Sequence, residues 1–161
     1  MCGITGAYQL KSTGKPVDFG LLEAVECMAH RGPDDQGIHV KGKAALGHRR
    51  LSILDTSTAG HQPFTDQNGR HTIIYNGEIF NFPALRRQLE DQGHVFRSKT
   101  DTEVILRMFI LKGPSFLHEL NGFFTLAIHD AETDELFIAR DRFGVKPVFW
   151  AIHEDRLIFG S

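Results

Sequence analysis

The chain is poor in cysteine: only Cys2 and Cys27 occur among its 161 residues. Two thiols form at most one bridge, and no C-x-x-C pair is present. That argues against a disulfide scaffold or a zinc ribbon, and for a reducing compartment. No apolar run approaches the roughly 18 residues of a membrane span. The opening MCGITGAYQLKSTGK lacks the basic-then-apolar order of a secretory signal. Charge of neither sign dominates, with 18 Lys and Arg against 20 Asp and Glu and a pI near 6.5. Such a balance provides no electrostatic footprint for nucleic acid or a membrane surface. Repeats and low-complexity segments are absent. The nine histidines form no H-x-H or H-E-x-x-H pattern. Asp34 and Asp35 lack further ligands at a useful spacing, so no metal site is expected. A cytoplasmic protein is expected.

What remains is an ordinary globular composition, 41% hydrophobic and 24% charged, in the length of one domain. CGITGAYQL reads as a first strand. DFGLLEAVECMAHRG carries Leu21, Leu22, Val25 and Met28 at helical spacing, with Asp18 as N-cap and Gly32 past the end. GIHVKGKAALGHRRLSILD reads as two strands about a Lys/Gly turn, and HTIIYNGEIF as another. A helix follows in NFPALRRQLEDQG, capped by Asn81 with Pro83 in its first turn. A second helix starts at the capping-box pair Thr100 and Glu103. GPSFLHEL is a further short helical piece. FFTLAIHD, ELFIARD, PVFWAIH and RLIFG are closing strands, the first covered on both faces. Strands at both ends with helices between them predict an α+β sandwich. The final FGS reads as a strand cut short, so a longer protein is expected.

Cys2 carries the sharpest chemistry. Loss of Met1 would leave a thiol and a free α-amino group on one residue. A free thiol has a pKa of about 8.5, and the thiolate is the nucleophile. An α-amino group titrates at about 7.7–8.0, so near neutral pH it is a ready base. The competing reading is a small apolar cysteine in a strand. Cys27 sits mid-helix and is expected in the core. Asn76-Gly77 between β-type runs is the strongest short hairpin signal. It is also a candidate oxyanion hole, from an amide side chain and a backbone N–H. Arg49 and Arg50 are adjacent beside a strand, so one can face inward and clamp a carboxylate bidentately, the competing reading being two solvated surface arginines. Asp101, at a helix start, is either a cap or a receptor for an ammonium group.

The stretches MCGI, HRGPDDQG, GHRRLSILD, QPF, YNGEIFN, SKTDTEV, LNGFFTLAIHD and ARDRFGVKP occur in this order and span the chain. Together they resemble the class II glutamine amidotransferase domain of the N-terminal nucleophile hydrolases. More narrowly, the chain is similar to the N-terminal domain of glutamine-hydrolysing asparagine synthetases. The resemblance implies a four-layer αββα sandwich of two antiparallel sheets. It implies hydrolysis of L-glutamine to glutamate and ammonia through a Cys2 thioester, with the Cys2 α-amino group as base and then acid. Asn76 and the Gly77 N–H match the oxyanion positions. Arg50, rather than Arg49, matches the binder of the α-carboxylate. Asp101 matches the binder of the α-ammonium, with Glu78 close by. The strand residues Leu51 and Ile53 match positions offering backbone contacts. HRGPDDQG and ARDRFGVKP are family marks expected to shape loops around the site.

Residues 1–161 are therefore expected to be an amidotransferase domain, the N-terminal part of a longer synthetase. No cofactor is expected in it. ATP and Mg²⁺ belong to a C-terminal synthetase domain that the chain lacks, since no SGGxD-type loop occurs. L-glutamine and that synthetase domain are the expected partners, and a homodimer is left open. An amidase acting on another amide and a non-catalytic regulatory domain are the alternatives.

Overall fold

A computed structural model describes residues 1–11 and 20–161. Their strands are β1 (Gly3–Gln9), β2 (Asp35–Lys41), β3 (Ala44–Arg50), β4 (Phe64–Thr65), β5 (His71–Ile79), β6 (Gly122–Asp130), β7 (Glu135–Arg140), β8 (Phe149–His153) and β9 (Arg156–Gly160). Their α-helices are α1 (Leu21–Cys27), α2 (Phe82–Asp91) and α3 (Asp101–Lys112). Short 3-10 segments cover Thr58–Gly60 and Gly113–Glu119. The strands form two sheets, ordered β2-β3-β1-β9-β8 and β4-β5-β6-β7, with every pairing antiparallel.

Side-chain alternation builds the layers. Along β5, Ile73, Tyr75 and Ile79 pack with Val104, Ile105 and Met108 of α3 and with Leu85 and Leu89 of α2. The intervening Ile74 packs the other way, with Ile4, Leu46 and Phe159 of the facing sheet. On the far side of that sheet, Ala7 and Ala45 meet Leu21 and Val25 of α1. The result is the expected α+β, four-layer αββα arrangement. β6 is covered on both faces, as its almost continuously apolar run predicts: Phe124, Leu126 and Ile128 face the helices, and Ala127 faces the other sheet.

Several local expectations are corrected. Asn76-Gly77 is no hairpin turn. It lies inside β5, paired with Thr125 and Phe124, and neither residue has the positive φ that a two-residue hairpin of this type needs. Helix α1 is shorter than its pattern suggests. Gly20, at φ 74°, sits at its N-cap, and Asp18 lies outside the described residues. The helix ends at Cys27, because the next turns close with tighter bonds from Ala29 to Glu26 and from Arg31 to Met28. A helix this short lays only Leu21 and Val25 on the sheet, so Leu22 and Cys27 are exposed rather than core. Asn81 precedes α2 but does not cap it. Its side chain donates to Glu119 O and accepts from Asn121 N, tying two loops together. At α3, Thr100 caps Glu103 N as expected. The return half of the box is displaced, since the Glu103 carboxylate takes the N–H groups of Arg97 and Ser98 instead.

His48 bridges the sheets. Its Nε2–H donates to Tyr75 O at 3.0 Å, and its Nδ1 is buried without a partner among the described residues. A second proton would have to sit on that orphaned nitrogen. Burial accordingly pushes the imidazole down to about 4 from its ordinary 6.5. The unfolded chain therefore binds the extra proton between those two values. Stability is complete above about pH 6.5 and is lost as pH falls toward 4, by up to about 3 kcal/mol. Urea unfolding across this range should show that slope in the parent. His48→Gln, which keeps a donor but does not titrate, should flatten it.

Candidate active site

The same alternation aims the site. On β3, Leu46 and His48 face the opposite sheet, and so does Arg50. Arg49 faces α1, where its Nε donates to Val25 O. On β1, Gly3 faces α1 while Ile4 faces the intersheet space, so Cys2 points inward too. Asn76 of β5 shares the inward face with Ile74. A cavity of about 270 Å³ opens where these inward positions converge. All eight residues singled out in the sequence line it: Cys2, Arg50, Leu51, Ile53, Asn76, Gly77, Glu78 and Asp101.

The thiol is held by backbone. Leu51 N–H donates to Cys2 Sγ at 3.4 Å, and the Cys2 thiol lies 3.7 Å from Leu51 O. Arg31 donates to Cys2 O at 3.1 Å and to Ser161 O at 3.0 Å, anchoring the chain start. Leu51 and Ile53 are not strand residues, contrary to expectation. β3 ends at Arg50 because Asp34 bends the chain there. Its N–H donates to Arg50 O, and its carboxylate accepts from Ser52 N at 2.7 Å. Ile53 stands at the rim, 76% exposed. HRGPDDQG is thus the mount for both the thiol and the Arg50–Leu51 turn. Gly32 in that stretch lies so close to β3 that a Cβ would come within 2.4 Å of Arg49 carbonyl carbon.

The Arg50 guanidinium is buried, with Nη1 donating to Ser57 O at 3.0 Å and Nη2 to Asp55 O. It packs over Gly60, where a Cβ would overlap Nη2. Asn76 is 2% exposed, and its Nδ2 donates to Ser161 Oγ at 3.2 Å. Glu78 is exposed at the rim.

β4 pairs only with Thr72 and Ile73, so the rest of that β5 edge has no neighbouring strand among the described residues. Alternate residues of an antiparallel strand present their N–H groups to the same edge. Tyr75 N donates to Gln62 Oε1 at 2.7 Å, and Ile79 N donates to Asp101 Oδ2 at 3.2 Å. Gly77 lies between them and presents its N–H the same way, into the cavity. A side chain there would meet Phe123 O at 2.4 Å, so the close approach of β6 requires glycine.

Asp101 opens α3 and is 4% exposed. Burial pushes its carboxyl up, against hydrogen bonds from Tyr75 OH and from the N–H groups of Ile79, Thr102 and Asp101 itself. All these donors are neutral, and Asp101 forms no ion pair among the described residues. Met1 also lines the cavity, and its Sδ accepts from Lys146 Nζ at 2.8 Å. Among the described residues, no group of three His, Cys, Asp or Glu is arranged to hold a metal, and no helix is long and apolar enough to cross a membrane.

Gly60, Gln62, Tyr75, Thr102, Phe123 and Lys146 line the cavity without having been singled out for a role. Gln62, Tyr75 and Lys146 fall inside QPF, YNGEIFN and ARDRFGVKP. Gly60 has no signal, because its need comes only from Arg50 lying across it.

A glutamine amidotransferase domain family model matches residues 1–161. The chain belongs to that family. It is 37% identical over its full length to asparagine synthetase [glutamine-hydrolyzing] 2 of Bacillus subtilis, covering 21% of that protein. It is 40% identical to asparagine synthetase B [glutamine-hydrolyzing] of Escherichia coli, with 96% of the chain and 27% of the relative covered. The amidotransferase domain thus spans about a quarter of these curated relatives. Its fold matches a glutamine phosphoribosylpyrophosphate amidotransferase from B. subtilis with a TM-score of 0.80 and 24% identity, over 99% of this chain and 41% of that one.

ARDRFGVKP gains a physical role within the domain. The Asp141 carboxylate, 4% exposed, accepts from the N–H groups of Phe124, Phe143, Val145 and Lys146 at 2.9–3.3 Å. Burial alone would raise this carboxyl, but these bonds, led by Lys146, hold it below its ordinary value. Asp141→Ala strands those N–H groups and should cost about 2 kcal/mol or more of stability. Chemical denaturation of the variant beside the parent measures this, and Asp91→Ala, on the exposed last turn of α2, should leave the midpoint in place.

Proposed function

We propose that this amidotransferase domain hydrolyses the side-chain amide of L-glutamine to glutamate and ammonia. The observation that carries the reading is Asp101, a buried carboxylate without a cation, sharing one cavity with the Arg50 guanidinium and the Cys2 thiol. A free α-amino acid fits that arrangement. Its ammonium supplies the charge that Asp101 lacks, with Glu78 at the rim, and its carboxylate takes the Arg50 fork. Leu51 and Ile53 contribute backbone contacts.

The chemistry then follows from Cys2. With Met1 removed, the α-amino group takes the thiol proton, directly or through one water. Sγ attacks the amide carbon, and the carbonyl electrons move onto oxygen. Asn76 Nδ2 and the Gly77 N–H stabilise that oxyanion. The C–N bond breaks as the α-ammonium returns its proton to the leaving nitrogen, so ammonia departs and a thioester remains. Water, deprotonated by the same amine, adds to the thioester and releases glutamate and the thiol. While Met1 is attached, the Cys2 nitrogen is an amide and supplies no base.

The wider setting is also a proposal. Relatives about four times as long suggest that these residues form the N-terminal domain of a synthetase. There the ammonia would be passed to an ATP- and Mg²⁺-dependent domain that aminates aspartate to asparagine. This domain itself needs no cofactor in that reading. A cytoplasmic setting fits both the composition and the free thiol.

Glutamate release from L-glutamine tests the reaction, on protein shown by intact mass to have lost Met1. Cys2→Ala should reduce it to background. Arg50→Ala should raise KM by about tenfold or more, as expected for a charge-assisted bond to the substrate, while Arg49→Ala leaves KM within about twofold. Protein retaining Met1 should be inactive. An active Cys2→Ala variant would overturn the mechanism.

A further inference from the structure

Tyr75, Gln62, Thr102 and Asp101 form a closed ring of contacts, and all four are at most 5% exposed. Tyr75 OH donates to Asp101 Oδ2 at 2.7 Å. Next to Asp101, Thr102 Oγ1 accepts from Gln62 Nε2 at 3.2 Å. Gln62 Oε1 then accepts from Tyr75 N at 2.7 Å. His48 braces the ring from the other sheet through Tyr75 O. The Tyr75 ring packs among the apolar residues between the four-stranded sheet and its helices, and both Tyr75 and the Asp101 that its hydroxyl contacts line the cavity.

We propose that the Tyr75 hydroxyl is a positioning group for the Asp101 carboxylate, and that it thereby sets selectivity for amides bearing a free α-ammonium group. This rests on the glutaminase reading above. A buried carboxylate that must receive a substrate cation poses a conflict. Left alone, it tends to protonate. Paired with Arg or Lys, it is already compensated and holds the substrate ammonium poorly. A neutral donor resolves the conflict by stabilising the anion without cancelling its charge. Tyrosine suits the task, since burial and the neighbouring carboxylate push its own phenol well above the ordinary range and keep it a donor. The Tyr75 and Ile79 bonds converge on Oδ2, which fixes the rotation of the group.

The test compares two substrates on the chain freed of Met1: L-glutamine, and glutaramate, which is glutamine without its α-amino group. Tyr75→Phe keeps the buried ring and removes only the hydroxyl. It should raise KM for glutamine about fivefold to tenfold with kcat within about twofold, and leave kcat/KM for glutaramate within about twofold. In an Asp101→Asn background the same substitution should have no further effect on glutamine. A parallel fall for both substrates marks a structural role and overturns the proposal. Unchanged kinetics for glutamine also overturn it. If the parent releases no glutamate from glutamine, the glutaminase reading fails first. The parent control thus separates the two failures.

Discussion

The open edge of β5 is the constraint around which the cavity is organised. Backbone N–H groups cannot be left buried and unpaired, because each costs about 1–3 kcal/mol. Because β4 begins only at Phe64, opposite Ile73, the N–H groups of alternate residues farther along this edge have no strand partner among the described residues. The molecule supplies side chains instead: Gln62 for Tyr75 and Asp101 for Ile79. The position between them, Gly77, is directed into the cavity. A continuous β4 would have consumed all three donors in a ladder. The short strand is therefore what frees an N–H to act on a ligand.

Charge is handled differently inside and outside this region. On the surface, Asp130 is satisfied by the Arg70 fork at 2.9 and 2.6 Å, which holds its carboxyl well below the ordinary range. Inside the cavity, Asp101 has neutral donors, and Arg50 has backbone carbonyls of the loop following β3. Each is oriented without being neutralised by the other. A zwitterion bound between them would complete both pairs at once, at a site already partly stripped of water. That is the general economy of a preformed binding site: desolvation is met by the fold before the ligand arrives.

Loops bring the parts together through single carboxylates. Asp34 turns the chain after Arg50, so that Leu51 reaches the thiol of Cys2. Asp141 gathers four N–H groups and sets Lys146 at the cavity wall. In both cases one acid, exposed at Asp34 and buried at Asp141, replaces a stretch of regular structure, which explains why these loops are rich in Asp, Gly and Pro.

Much of this was legible in the chain. Apolar periodicity placed every described strand except the two-residue β4, and the cores of α2 and α3, and the two-residue period of a strand required Arg49 and Arg50 to face opposite ways. The chemistry of an N-terminal cysteine and the ordered family motifs drew attention to the eight residues that the cavity gathers. Three things were decided only in three dimensions. Asn76-Gly77 carries a strong turn signal, but pairing with β6 on one side and packing on both faces hold it extended. Leu51 and Ile53 leave the strand because a distant carboxylate, Asp34, competes for the local N–H. Tyr75, Gln62 and Gly60 gain their importance from contacts across many residues of sequence, with Asp101, with Thr102 and with the Arg50 guanidinium. Local pattern specifies which way a side chain faces. Only the packing of one sheet on another specifies what it meets there.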